Sequence, residues 1–379
     1  MDIRTRAVHV ANRPTGGASR PLSVPIVQSS AFSFDSADDL AAAMGDPEGV
    51  PVYGRRGNPT VRALEQTLAG LEGGAAAMAT ASGMGAISGV LLALLRPGDH
   101  VIAQQCLYGG TYSVLADLAD RFEVEVEYIT GEDVGEFERR VQTSTRLLYL
   151  ETIANPTGQV PDLPGLLTAA RRAGVVTVVD NSLASPVLCR PVELGADIVV
   201  HSTTKYLGGH SDVLGGVTVF ADKDLHHRVW TRAVEYGSTA DPFAAWLTLR
   251  GIQTPPLRMR QHCENAEAVS RRLAPHRSLP VGTHHIVRAY EQWVTGTPGG
   301  YPENYVRIHA GNRSAGSERP LHEGLWSRSG GGGTAPPGPW LVPTPQRPPV
   351  RRLPFTQGWL SSGPLPADPE AGRGLAMDA

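Results

Sequence analysis

Only two lysines occur in the 379 residues, Lys205 and Lys223, and the first stands where a reactive amine would be useful. It follows the apolar run Ile198-Val199-Val200, which is short and β-branched enough to be a buried strand. Between strand and lysine come Ser202, Thr203 and Thr204, whose hydroxyls can hold a phosphate. The pair Gly208-Gly209 then lets the backbone turn tightly. A lysine at the end of a buried strand is costly unless it has a partner or a covalent task. An amine held beside phosphate-binding hydroxyls can form a Schiff base with an aldehyde. Lys223, in Ala221-Asp222-Lys223-Asp224, reads as a solvated turn.

The aldehyde cofactor that matches this stretch is pyridoxal 5'-phosphate (PLP), and other residues supply its further needs. Asp180 closes the run Val175 to Val179, where a carboxylate is costly unless paired, and a pyridinium N–H is a suitable partner. Taken alone, such an aspartate also reads as a helix N-cap. Ser82-Gly83-Met84-Gly85 falls between a strand and a helix, where unbonded amides and the helix dipole attract a dianion. Ser202 and Thr204 add hydroxyls to that cup. Tyr108 follows the strand His100–Ala103; its ring can stack on a cofactor and its hydroxyl can carry protons, although a lone tyrosine there is more often core. Asn155 reads by itself as an Asn-Pro turn. A rival reading comes from Gly83 to Gly89, of the form G-x-G-x-x-x-G, which is close to the fingerprint of an NAD(P)-binding oxidoreductase. It is weakened because no acidic residue ends the next strand.

These residues need elements to position them, and the pattern supplies them. Asn58 and Pro59 start a helix with Val61, Leu64, Leu68 and Leu71 at helical spacing, and Gly73-Gly74 ends it. Strands are expected at Ala76–Thr80, His100–Ala103, Val124–Ile129, Leu147–Glu151, Val175–Asp180, Ile198–His201 and Val217–Phe220, mostly with helices between them. That alternation predicts an α/β fold, a mainly parallel sheet covered on both faces. Ligands on such sheets sit beyond the carboxyl ends of the strands, and Ser82, Tyr108, Asn155, Asp180 and Lys205 all follow strands. Residues 1 to about 50 read as an extended arm, and helices are expected at Phe243–Gly251 and Leu257–Leu273.

Asp197 to Ser211, in sequence D-I-V-V-H-S-T-T-K-Y-L-G-G-H-S, resembles the PLP-attachment signature of the Cys/Met-metabolism enzymes, the cystathionine γ-synthase and γ-lyase group. The resemblance covers roughly residues 4 to 278. It implies the type I PLP-dependent transferase fold with a smaller C-terminal domain. It also implies that Lys205 carries the cofactor, that Asp180 faces the ring nitrogen, and that Tyr108 lies over the ring and takes part in catalysis. Asn155 matches a position contacting the cofactor's 3' oxygen or the substrate. Tyr53 and Arg55 match phosphate ligands that reach in from a neighbouring subunit, which implies a homo-oligomer, dimer or tetramer. The implied activity is trans-sulfuration, acting on cystathionine or an O-activated homoserine by γ-elimination or γ-replacement. Gly110 stands where methionine γ-lyases typically carry cysteine, which disfavours that member.

Composition agrees with a soluble enzyme: 41% of residues are apolar and 19% charged. A net charge of −3 without a basic block argues against nucleic acid or an anionic membrane as partner. The N-terminus lacks a signal-like apolar segment, and Val90–Leu95 is too short to span a bilayer. Three cysteines without paired metal spacing (Cys106, Cys189 and Cys263) fit a reducing cytoplasm, and no metal site is expected. After Ser278 the pattern is lost: Pro and Gly make up 31 of the last 101 residues against 43 of the first 278. The chain thus reads as an arm (1–52), a PLP-binding α/β domain (53–242), linking helices (243–278) and an aberrant tail (279–379). A change of reading frame near residue 279 would account for the tail, and the product would then bind PLP without turnover. The implied substrate-carboxylate arginine, in a Leu-Ser-x-Gly-like setting, has no match; Arg351, Arg352 and Arg373 all lack that setting.

Overall fold

The computed structural model describes residues 2–9, 21–45, 49–155 and 157–273. All of them belong to the first of two units, residues 1–315; the second unit, 316–379, lies outside the described residues, as does the whole of the expected aberrant tail.

Helices α1 (Ile3–His9), α2 (Ala37–Gly45) and α3 (Pro59–Glu72) precede β1 (Ala76–Thr80) and α4 (Gly83–Leu94). Next come β2 (His100–Gln104), α5 (Gly109–Phe122), β3 (Glu125–Ile129), α6 (Val134–Arg140), β4 (Thr145–Glu151) and α7 (Leu163–Ala173). The described chain continues through β5 (Val176–Asp180), α8 (Ser185–Leu188), α9 (Pro191–Leu194), β6 (Ile198–Ser202) and β7 (Gly216–Phe220). It closes with α10 (Lys223–Ala233), α11 (Pro242–Ile252) and α12 (Pro255–Leu273).

Two of these correct the expected arm, since α1 and α2 are helical. Local capping explains both: Asp2 accepts from the Arg4 amide at 2.8 Å, and Ser36 accepts from the Asp39 amide at 3.1 Å ahead of an alanine-rich stretch. Helix α3 follows its signals closely. The Asn58 side chain accepts from the amides of Thr60 and Val61, and Gly73 ends the helix at φ +81°, a left-handed conformation that suits glycine.

The strands lie in the order β1-β7-β6-β5-β4-β2-β3. All neighbours are parallel except that β7 runs antiparallel to both β1 and β6. A period of two divides each strand between two cores. On β6, Val199 joins Leu64, Leu68 and Val179 beneath α3 and α7, whereas Ile198 and Val200 join Ile87, Val90 and Tyr149 beneath α4 and α5. Helices therefore cover both faces, and the parallel strands direct their carboxyl ends to one edge of the molecule.

A cavity of about 410 Å³ lies at the outer edge of β1, lined by Arg56, Arg62, Glu65 and Trp230 among others. Of the expected site residues only Arg55 lines it. Its Glu65 accepts from the Ala79 amide at 2.8 Å, and burial pushes the carboxyl up to about 7.

Candidate active site

Five strand ends and one strand start build a single cluster. β6 stops at Ser202, and residues 203–209 form a tight turn in which Gly208 bonds back to Thr203 and Gly209 to Lys205. Lys205 projects from this turn and is exposed, and its side-chain amine makes no hydrogen bond or ion pair with any described residue. The expected cost of a buried lysine therefore does not arise. The strand ends three residues earlier, and the turn lifts the amine clear of the core.

Helix α4 brings its N-terminus against this turn. Ser82 caps it, accepting from the Gly85 amide at 3.0 Å, and the amides of Gly83 and Met84 have no acceptor within the helix. A Cβ on Gly83 would lie 2.7 Å from the Ser202 Cβ, so glycine is what allows the helix end to meet the end of β6. The Ser202 amide donates to the Ser182 hydroxyl at 2.6 Å, which leaves the Ser202 hydroxyl for a ligand. The Thr204 hydroxyl is engaged instead with the Gly215 backbone, donating to the carbonyl at 3.3 Å and accepting from the amide at 3.1 Å.

Asp180 ends β5, partly buried. Burial pushes its carboxyl above the usual range, opposed by hydrogen bonds from Ser182 and by nearby His201. No arginine or lysine among the described residues pairs with it, so the carboxyl suits a cationic N–H supplied by a ligand. Beneath it lies a fully buried pair, His201 and Glu72 at 2.7 Å, and Asn181 also donates to Glu72 at 2.8 Å. This pair fastens the end of α3 to β6 and to the loop after β5.

Tyr108 precedes α5 and is 44% exposed. Glu151, at the end of β4, holds both the Tyr108 amide (2.7 Å) and the Asn155 amide (2.9 Å). Gly110 packs under the tyrosine: a Cβ there would lie 2.5 Å from the ring and 2.7 Å from the Met84 sulfur. Ser82, Gly83, Met84, Tyr108, Asn155, Asp180, Ser202, Thr204 and Lys205 thus occupy one end of the sheet. Tyr53 and Arg55 are arranged separately. The Arg55 guanidinium pairs with Glu235 at 2.6 Å and lies over the Tyr53 ring, 5.9 Å from its centroid.

No motif or spacing singles out Arg258. From α12 its guanidinium donates to the carbonyls of Tyr206 (2.7 Å) and Gly251 (3.0 Å) and to the Thr254 hydroxyl (3.0 Å). It has no carboxylate partner among the described residues, and burial pushes it below the usual range. It lies against Gly209, whose φ is +75°, and so braces the lysine turn from behind. Arg258→Met is expected to lower kcat about 10-fold or more with little change in KM. Arg258→Lys should recover only part, because a lysine lacks the fork that spans both carbonyls.

An unpaired amine, an amide-rich helix start and a carboxyl without a cation, gathered at the strand ends of a parallel-rich sheet, fit a PLP enzyme of fold type I. Residues 4–286 match the Cys/Met metabolism PLP-dependent enzyme family, and the chain belongs to that family. Over 275 residues it is 40% identical to cystathionine gamma-synthase of Mycobacterium tuberculosis strain H37Rv, covering 73% of this chain and 69% of that protein. It is likewise 40% identical over 279 residues to L-methionine gamma-lyase of Porphyromonas gingivalis, covering 72% and 68%. A crystal structure of cystathionine gamma synthase from Xanthomonas oryzae pv. oryzae, in complex with aminoacrylate and cysteine, superposes with a TM-score of 0.67 at 39% identity, covering 73% and 69%. The dinucleotide reading is set aside accordingly, and β2 indeed ends on Gln104 rather than on a carboxylate. Among the described residues no helix is long and apolar enough to cross a membrane.

Proposed function

We propose that the chain catalyses γ-replacement or γ-elimination on cystathionine or an O-activated homoserine, with PLP held by the cluster above. The observation that carries this is the convergence of Lys205, Asp180, Ser202 and the start of α4 at one end of the sheet. PLP supplies an aldehyde that links to an amine and a ring that accepts electrons from the substrate. The amides of Gly83 and Met84 and the Ser202 hydroxyl hold the phosphate, and Thr204 fixes the connection to Gly215 behind it. Asp180 holds the ring nitrogen's proton. Lys205 would anchor the cofactor through its amine and, when that amine is free, would be the base that moves the Cα proton and then one from Cβ. Tyr108 would donate a proton to the group leaving Cγ, and Asn155 would contact the cofactor or the substrate.

The missing side chain at Gly110, which leaves the Tyr108 ring and Met84 in contact range, supports a cystathionine-type substrate over methionine. Tyr53 and Arg55 serve the phosphate of a neighbouring subunit in a homo-oligomer, a dimer or tetramer located in the cytoplasm. Within this chain the Arg55 guanidinium is taken up by Glu235 and the Tyr53 ring rather than by a residue of the Lys205 cluster, which supports that assignment. The domain reading is proposed with it: an arm to 52 that carries α1 and α2, a cofactor domain to 242 and a linking segment from 243 to 278 that begins with α11 and α12.

A second reading, PLP binding without turnover, is favoured by one observation: the family match stops at 286, shortly after the composition changes. Incubation with cysteine and an O-activated homoserine, or with cystathionine alone, separates the two. Cystathionine formed in the first, or 2-oxobutanoate in the second, is the expected result. A yellow protein that makes neither product supports the inactive reading.

A further inference from the structure

At the opposite end of the sheet from Lys205, parallel pairing assembles three groups that no sequence spacing joins. His100 opens β2 and Glu125 opens β3, and the register sets His100 beside Glu125 and Ile102 beside Glu127. Alternation therefore puts both glutamates on the face of the strand pair that His100 occupies. An imidazole nitrogen of His100 and one carboxylate oxygen from each glutamate all lie within 4.8 Å of one another.

The histidine is the telling member. It is fully buried, its Nδ1 is 2.8 Å from the Thr145 hydroxyl, and its Nε2 has no partner among the described residues. The Thr145 oxygen already accepts from the Gln142 amide at 2.8 Å. A neutral ring that donates from Nδ1 to Thr145 leaves Nε2 as a bare lone pair, the arrangement in which a hydroxyl behind the ring orients a metal-binding imidazole. In either tautomer a buried Nε2 without a partner is costly, and a cation bound at the Nε2 lone pair would relieve it. Each glutamate commits one oxygen elsewhere: Glu125 Oε2 accepts from Gln142 at 3.0 Å, and Glu127 Oε2 faces Arg140 at 3.3 Å. The other oxygens remain for a ligand. Among the described residues the remaining charges nearby are Asp99, paired with Arg146 at 3.3 Å, and Glu136, paired with Arg140 at 3.2 Å.

We propose that His100, Glu125 and Glu127 bind one divalent transition-metal ion, with zinc as the favoured case. One imidazole and two carboxylates are a ligand set zinc accepts at about 2.0–2.2 Å, with water in the fourth position. The glutamates sit at the rim and close on the ion by rotation of their side chains. The ion ties β3, the last strand of the sheet, to β2. Because it lies at the end opposite Lys205, it acts on stability and takes no part in the reaction, and it stands independently of the proposed activity.

The test uses the full chain loaded with PLP, treated with chelator and dialysed, then titrated with zinc chloride by calorimetry with the thermal midpoint followed in parallel. One equivalent should bind and the midpoint should rise by about 3–6 °C at saturation. E125Q/E127Q alters only rim residues and so keeps the fold, and it should bind about 100-fold more weakly or not at all. H100Q should lose the midpoint shift as well. Zinc binding that is unchanged in E125Q/E127Q, as thiols Cys106 or Cys263 would give, overturns the proposal. A native chain whose midpoint does not respond to zinc overturns it equally.

Discussion

Lys205→Ala is expected to leave a chain that folds but retains no visible absorbance after dialysis, with turnover reduced by at least about 10⁴-fold. The reasoning is structural. Lys205 is exposed on a turn held by its own backbone bonds and makes no contact that stability needs, so its removal spares the fold. Its amine nevertheless has two tasks, anchoring the cofactor and moving the Cα proton, and alanine can do neither. Lys223, the other lysine, starts α10 and cannot substitute. A thermal midpoint within a few degrees of the native chain, together with lost absorbance and turnover, is the outcome to look for. Turnover that survives the substitution would remove Lys205 from the mechanism.

Asp180→Asn is expected to have opposite effects on the cofactor-free and the loaded chain. In the free chain burial holds the carboxyl's pKa above its unfolded value near 3.8. The folded state therefore binds the proton more tightly, and the stability this contributes at low pH is lost as pH rises through the folded pKa. Asparagine carries no such charge, so the free variant should match or exceed the native midpoint at pH 8 and show no gain at pH 4. With PLP bound the sign reverses, because the ring nitrogen's proton loses its charged partner. Breaking a buried pair of this kind costs about 3–5 kcal/mol, which predicts about 10²–10⁴-fold weaker cofactor binding. Thermal scans at both pH values and a PLP titration measure the two effects.

Much of this was legible in the sequence because local chemistry dictated it. Asn58-Pro59 and Gly73 bracket α3 by capping alone, and β-branched runs mark β5 and β6 within a residue of their ends. The residues proposed for the Lys205 cluster could be picked out because each follows a strand, and parallel topology brings strand ends together. What stayed hidden depends on pairing at long range. Nothing in Gly216–Phe220 announces that β7 lies between β1 and β6 and runs against both. Arg258 is one arginine among many until α12 packs behind the lysine turn, 53 positions after Lys205. His100, Glu125 and Glu127 likewise become neighbours only through the register of β2 with β3. The helices α1 and α2 escape the pattern because they are short, 7 and 9 residues, and flank a Pro-, Gly- and Ser-rich stretch that reads as loop.

Reduction of the PLP-loaded chain with borohydride, followed by peptide mapping, tests the central claim most directly. A chain with two lysines makes the result easy to read. The account predicts one phosphopyridoxyl label per chain, on the peptide containing Lys205. A label on Lys223, or a chain that keeps its PLP yet takes up no label on either lysine, would contradict it.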